Sequence, residues 1–140
     1  MSANLSADYL DVVPKAMISV RVEMRRCRDS DLSLAQFRIL AHLYHGASTN
    51  KQLAENIGVS VGAMSRMVRG LAERHLISRI ISHSDRREIQ LGLTKKGIHL
   101  FEAIRNKARL GISKRIAILS EADRKTLRQG LKVLQKITIS

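Results

Sequence analysis

Two histidines, His42 and His45, stand three residues apart in the tetrapeptide HLYH. On a helix they occupy adjacent turns, a spacing that can chelate a metal ion. No thiol or carboxylate lies beside them to complete a ligand set. A histidine near a helix C-terminus also suits the helix dipole without any metal. No metal site is therefore expected. Cys27, the only cysteine, is flanked by Arg25, Arg26 and Arg28, cations that favour a thiolate. It also falls in an apolar stripe, where a small buried hydrophobe is the simpler reading. A single cysteine rules out an intrachain disulfide and fits a reducing compartment. The chain carries no HExxH, no GxSxG and no glycine-rich phosphate loop followed by lysine. An enzyme is the least expected class, and no cofactor is expected.

The chemistry that remains is electrostatic. The 140 residues include 25 Lys and Arg against 12 Asp and Glu, a formal net charge of +13. Such a balance points to a polyanionic partner, either nucleic acid or an anionic surface. Aromatic residues make up only 3% and Trp is absent, which argues against stacking of single-stranded bases. The stretch 60–79, SVGAMSRMVRGLAERHLISR, concentrates the signal. At ~100° per residue, Met64 with Met67, Val68 and Leu71 forms a buried face. Gly62, Arg66, Arg69 and Glu73 fall opposite. The outward face is small at its N-terminal end, where Ser60, Gly62, Ala63 and Ser65 stand, and basic in its middle. A helix that enters the DNA major groove has this shape, because bulk at its N-terminus would block approach to base edges. Arginine can grip guanine O6 and N7 bidentately. Two arginines on an exposed helix face can also be merely solvated. The basic hairpin that follows tips the balance, since Arg86 and Arg87 at its tip could reach a minor groove or its phosphates. Asp85 is expected to pair with a neighbouring arginine and hold the tip's shape, or to serve as an ordinary turn residue.

The surrounding elements must position these side chains. Val13, Ala16, Met17, Val20, Met24 and Cys27 recur at helical spacing and predict a first helix from near Pro14 to about Arg28. Pro14 suits its first turn, with a kink if helix precedes it. Ser33 with Gln36 is a capping box, followed by Phe37, Leu40, Ala41 and Tyr44 inward and a stop at Gly46. Thr49 with Gln52 repeats the box and opens a short helix, 50–57, with Leu53, Ala54 and Ile57 inward and Gly58 closing it. Ser60 caps the next helix, 61–74. Two helices across a tight turn make a helix-turn-helix. The period then changes. Residues 77–81 and 88–93 read as a β-hairpin, with Ile89, Leu91 and Leu93 on one face. Thr94 caps a helix carrying Ile98, Phe101 and Ile104 inward toward about Leu119, with a bend near Gly111. Ser120 caps a last helix using Leu127, Leu131, Leu134 and Ile137. The first and last helices carry more aliphatic surface than one small core needs, which predicts a dimer rather than a monomer.

This order of elements resembles the MarR family of bacterial transcription regulators. The residues that carry the resemblance are LSLAQFRIL (32–40), LAENIGVS (53–60), SRMVRGLAERHLISR (65–79), Asp85-Arg86-Arg87 and LTKKG (93–97). It implies a mainly α fold with a small β-hairpin wing, a winged helix-turn-helix whose N- and C-terminal helices form a dimerisation region. One domain would span 1–140, with a DNA-binding lobe at about 33–93 and dimerisation helices at about 5–30 and 110–140. The implied partners are double-stranded DNA, bound as a pseudo-palindromic operator by a repressing homodimer, and a small aromatic or anionic effector of the kind many members hold. Ser60–Arg69 would be the recognition segment and Asp85–Arg87 the wing tip. Lys51, Arg79 and the wing would supply phosphate contacts. Three positions depart from the family pattern. His75 replaces a frequent Gly at a position that favours positive φ, which His tolerates better than most. Arg69 replaces an acidic or polar residue and bears on which bases are read. Ala35 replaces a Pro. The N-terminus, MSANLSADYLDVV, carries no signal-peptide pattern, and no apolar run nears the ~20 residues that span a bilayer. A cytoplasmic protein with no membrane partner is expected. Two other readings compete: a nucleic-acid binder without sequence choice, and a winged-helix module docking an acidic protein.

Overall fold

A computed structural model of the chain describes residues 4–27, 32–81 and 89–138. Its elements in order are α1 (Leu5–Cys27), α2 (Leu34–Tyr44), β1 (Ser48–Thr49), α3 (Asn50–Ile57), α4 (Val61–Glu73), β2 (Ile77–Ile81), β3 (Ile89–Leu93), α5 (Lys95–Ile116) and α6 (Glu121–Leu134). They fall into two units, residues 24–107 and residues 1–23 with 108–140.

Residues 24–107 hold a continuous apolar core. Ile39 and Leu40 of α2, Leu53 of α3, Met64 and Leu71 of α4, and Leu76 beyond α4 are almost fully buried. Phe101 and Ile104 of α5 complete the cluster. The Phe37 and Phe101 rings stack at 5.4 Å, and Tyr44 meets Phe101 at 4.6 Å. The Tyr44 hydroxyl donates to Glu102 Oε1 at 3.0 Å, so its polar end is satisfied. Local signals fix the helix starts. Ser33 Oγ accepts from Gln36 N, and Gln36 Oε1 accepts from Ser33 N. Thr49 and Gln52 repeat this exchange at α3. Each box satisfies donors that a helix N-terminus would otherwise leave open.

The sheet is three-stranded and antiparallel, in the order β1-β3-β2. β1 adds a strand to the expected hairpin, pairing Ser48 with Leu91 and Thr49 with Gln90. Arg79 pairs with Leu91, and Ile77 with Leu93. The expected common face of Ile89, Leu91 and Leu93 holds only toward one end. Leu91 is buried, whereas Ile89 is 47% exposed. Ile89 lies at the end of the pairing with Ile81, beyond the stretch that β1 flanks.

In residues 1–23 with 108–140, α1 begins well before Pro14. The N–H groups of Ala7 and Asp8 donate to the Asn4 carbonyl oxygen, so Asn4 caps a helix that begins at Leu5 and holds Pro14 inside it. The expected start near Pro14 is therefore corrected. An asparagine cap serves the open donors of the first turn, and interior Pro is tolerated at the cost of one hydrogen bond. The buried residue of α1 is a glutamate. Glu23 is 6% exposed and accepts from Nε and Nη2 of Arg115, both at 3.3 Å. Gly111 lies directly against it, where a Cβ would stand 2.1 Å from Glu23 Oε2. α5 ends at Ile116, short of Leu119, and Ser120 caps α6 by accepting from Asp123 N. No residue of α6 is buried.

Candidate nucleic-acid interface

The turn between α3 and α4 depends on Gly58, which sits in the left-handed region at φ 81°. Ser60 then caps α4, its Oγ accepting from Ala63 N at 3.1 Å. Met64, Val68 and Leu71 turn inward as expected. Gly62, Arg66, Arg69 and Glu73 are exposed, while Ala63 and Ser65 are half-buried. A Cβ on Gly62 would meet nothing within 4 Å. The N-terminal end of the outward face is therefore low, with guanidinium groups on the turns that follow.

Both ends of α4 are tied to the rest of the lobe. Near the start, Asn50 of α3 donates through Nδ2 to Ser65 Oγ at 3.0 Å. Ser65 thus has an intramolecular partner as well as its place on the segment expected to read DNA. At the far end, His75 N donates to Ala72 O and Leu76 N to Leu71 O, the paired bonds of a Schellman cap. His75 takes φ 60° there, in the position where glycine is usual. The LTKKG segment secures this cap. The Thr94 hydroxyl donates to His75 O and accepts from Gly97 N. Lys96 Nζ donates to the Arg74 carbonyl at 3.0 Å. Gly97 passes so close to Leu76 that a Cβ would lie 2.2 Å from its carbonyl oxygen. The motif read from sequence is thus a fastening for the C-terminal end of α4.

Arg79 is exposed on β2 and shares a cleft of about 260 Å³ with Asn50, Ser65, Val68, Arg69 and Leu91. Lys51 is exposed in the first turn of α3. Lys51, Ser60, Gly62, Ala63, Ser65, Arg66, Arg69 and Arg79 all belong to α3, α4, their turn and β2. Asp85, Arg86 and Arg87 lie outside the described residues. His42 and His45 line a separate shallow cleft with Arg38 and Asn56. Among the described residues no three His, Cys, Asp or Glu side chains gather as a metal site. Cys27 is half-buried and packs against the core. Sequence reasoning missed Asn50. As a residue of the second capping segment it gives no sign that its side chain crosses to α4.

This arrangement is shared with known proteins. Residues 32–89 match the model of the MarR family. The HTH-type transcriptional regulator MhqR of Bacillus subtilis is 29% identical over 114 residues, 80% of this chain and 79% of that protein. A second B. subtilis protein, the HTH-type transcriptional regulator YfiV, is 25% identical over 107 residues, 76% of this chain and 67% of its own. The crystal structure of the transcriptional regulator Tm0710 from Thermotoga maritima superposes with a TM-score of 0.76 at 25% identity, covering 94% of each chain. A helix-turn-helix with a capped, basic-faced second helix, a three-stranded sheet beside it and these relatives lead to one conclusion: residues 32–89 carry a MarR-family winged helix-turn-helix region, and the chain is similar along most of its length to HTH-type transcriptional regulators.

Proposed function

We propose that the chain is a sequence-specific regulator of double-stranded DNA, a repressor that occupies a pseudo-palindromic operator as a homodimer. The observation that carries this reading is the outward face of α4, open at Gly62 and basic at Arg66 and Arg69. Gly62, Ala63, Arg66 and Arg69 meet base edges in the major groove. Lys51, Arg79 and the wing residues Arg86 and Arg87 meet phosphates, and Asp85 holds the wing tip. Phosphate contacts carry most of the affinity, and the net charge of +13 supports them. Apolar side chains left open on α1 and α6, such as Leu10, Ile18 and Leu131, support the homodimer. No helix among the described residues is long and apolar enough to cross a membrane, and a DNA regulator works in the cytoplasm. Release by a small aromatic or anionic effector follows from the family resemblance. A ligand-dependent rise in melting temperature together with loss of operator binding would support it.

Selection from a random duplex library at physiological salt tests the reading. An inverted repeat with half-sites ~34–36 Å apart is expected. Retention without an enriched motif would favour the general binder that the charge alone suggests, and no retention would favour a protein partner. Arg66→Ala should relax base preference roughly tenfold at its own position. Arg87→Ala should weaken binding to operator and random duplex alike, with a shallower salt slope. Equal losses on both duplexes for both variants would show that these roles are misassigned.

A further inference from the structure

Asn50 opens α3 and reaches across to α4. Its Nδ2 donates to Ser65 Oγ at 3.0 Å and lies 3.5 Å from the Val61 carbonyl oxygen. A carbonyl oxygen can only accept, so the amide nitrogen must face α4 and the orientation of the amide follows. The other end, Oδ1, is buried. Among the described residues it is the one buried side-chain nitrogen or oxygen without a hydrogen-bond partner. An unpaired buried acceptor is unfavourable, and in a folded protein it calls for a reason. Asn50 lines the cleft beside α4, and the charged residues that line it too are Arg69 and Arg79.

Building on the proposed readout by α4, we infer that Asn50 is a positioning residue for sequence recognition: when α4 enters the major groove, Asn50 Oδ1 accepts from the Arg69 guanidinium and aims it at the bases. Arg69 is chosen over Arg79 by helix geometry. Side chains on a helix lean toward its N-terminus, over the preceding turn. Arg69 follows Ser65 by one turn, and Ser65 is the residue that Asn50 holds. In the free protein Arg69 is exposed and its guanidinium can be met by water. Docking on DNA removes that water, and the vacant acceptor then becomes the available partner. A guanidinium carries five donors in a planar fork, so one N–H on Asn50 leaves others for guanine. The acceptor thereby selects one orientation of a long, flexible side chain. Arg79 stands on β2 and remains available to phosphate.

The test is the random-duplex selection repeated on full-length Asn50→Ala, Arg69→Ala, Arg66→Ala and the Asn50→Ala/Arg69→Ala double variant. Asn50→Ala should lose preference roughly tenfold at the base positions that Arg69→Ala also relaxes. It should keep the positions that depend on Arg66, and adding Arg69→Ala to it should change nothing further. Asn50→Asp, which retains an acceptor, should keep the Arg69-dependent preference. That variant also serves if Asn50→Ala fails to fold, since its loss of the preference overturns the inference. An unchanged motif for Asn50→Ala overturns it as well. So does a motif flattened at the Arg66 positions too, which would mean α4 had merely loosened. A wild-type protein that enriches no motif would instead overturn the underlying reading of sequence-specific binding, and the inference with it.

Discussion

Among the described residues, 24–107 bury most of their large apolar side chains, whereas residues 1–23 with 108–140 leave most of theirs in the open. In the first unit Leu40, Leu53, Met64 and Leu71 have no measurable exposure. In the second, Leu10, Ile18, Leu131 and Ile137 are 69%, 56%, 52% and 67% exposed, and the buried residue of α1 is a glutamate. At roughly 25 cal/mol per Å² of apolar surface removed from water, only the first unit gains its full hydrophobic stabilisation within a single chain. The second has the composition of a half-built core. The contrast teaches that one sequence can hold a self-sufficient reading unit and a unit whose apolar side chains call for further cover.

The contrast can be broken most sharply by placing charge in the open apolar surface. If the proposed homodimer forms through this surface, Ile18→Asp with Leu131→Asp should leave the melting of the 24–107 unit intact yet cost at least about a hundredfold in operator affinity, because the two half-sites are no longer linked. Sedimentation should then report a monomer, and a persistent dimer would show that the partner surface lies elsewhere. Gly97→Ala attacks the other unit. Its Cβ would meet the Leu76 backbone, which cannot swing aside, so denaturant unfolding should show a loss of about 3 kcal/mol. Wild-type stability in that variant would contradict the close approach. Gly111→Ala should cost less, about 1–2 kcal/mol, because the obstacle is the end of the Glu23 side chain. A double variant with Glu23→Ala should recover part of that loss, and strict additivity would mean the two positions do not touch. The smallest effect should be a gain. His75→Gly relieves a left-handed conformation at φ 60° and should stabilise by about 1 kcal/mol, read as a higher melting temperature.

What the sequence revealed follows from how far each signal reaches along the chain. Capping boxes at Ser33–Gln36 and Thr49–Gln52 are closed within three residues, so residue types alone give them away. The two faces of α4 obey helical periodicity and were legible for the same reason. The left-handed backbone at His75 was expected only through the family resemblance, because a histidine by itself does not announce such a helix end. β1 was not legible. Two residues, Ser48 and Thr49, show no alternation, and they become a strand only because β3 lies beside them. Pro14 misdirected the start of α1, since a residue favoured in first turns also occurs inside helices, and the signal at Asn4 was a single side chain. The link from Asn50 to Ser65 joins residues fifteen apart in sequence, and no pattern of neighbours encodes it. Of the candidate interface, the exposure of the outward residues of α4 could be read and the bonds that hold α4 in place could not.

Those bonds bear on how such a protein can change its target over evolutionary time. α4 is held at its beginning by Ser60 and Asn50 and at its end by Thr94, Lys96 and the His75 cap. Gly62 and Arg66 take no part in this fastening, and the space beyond Gly62 is empty. Under the proposed readout, substitutions at 62 and 66 therefore rewrite the reading face while the mounting stays fixed. The lobe separates the part that must be kept from the part that can drift, so a duplicated gene could acquire a new operator in a few steps without first losing its fold.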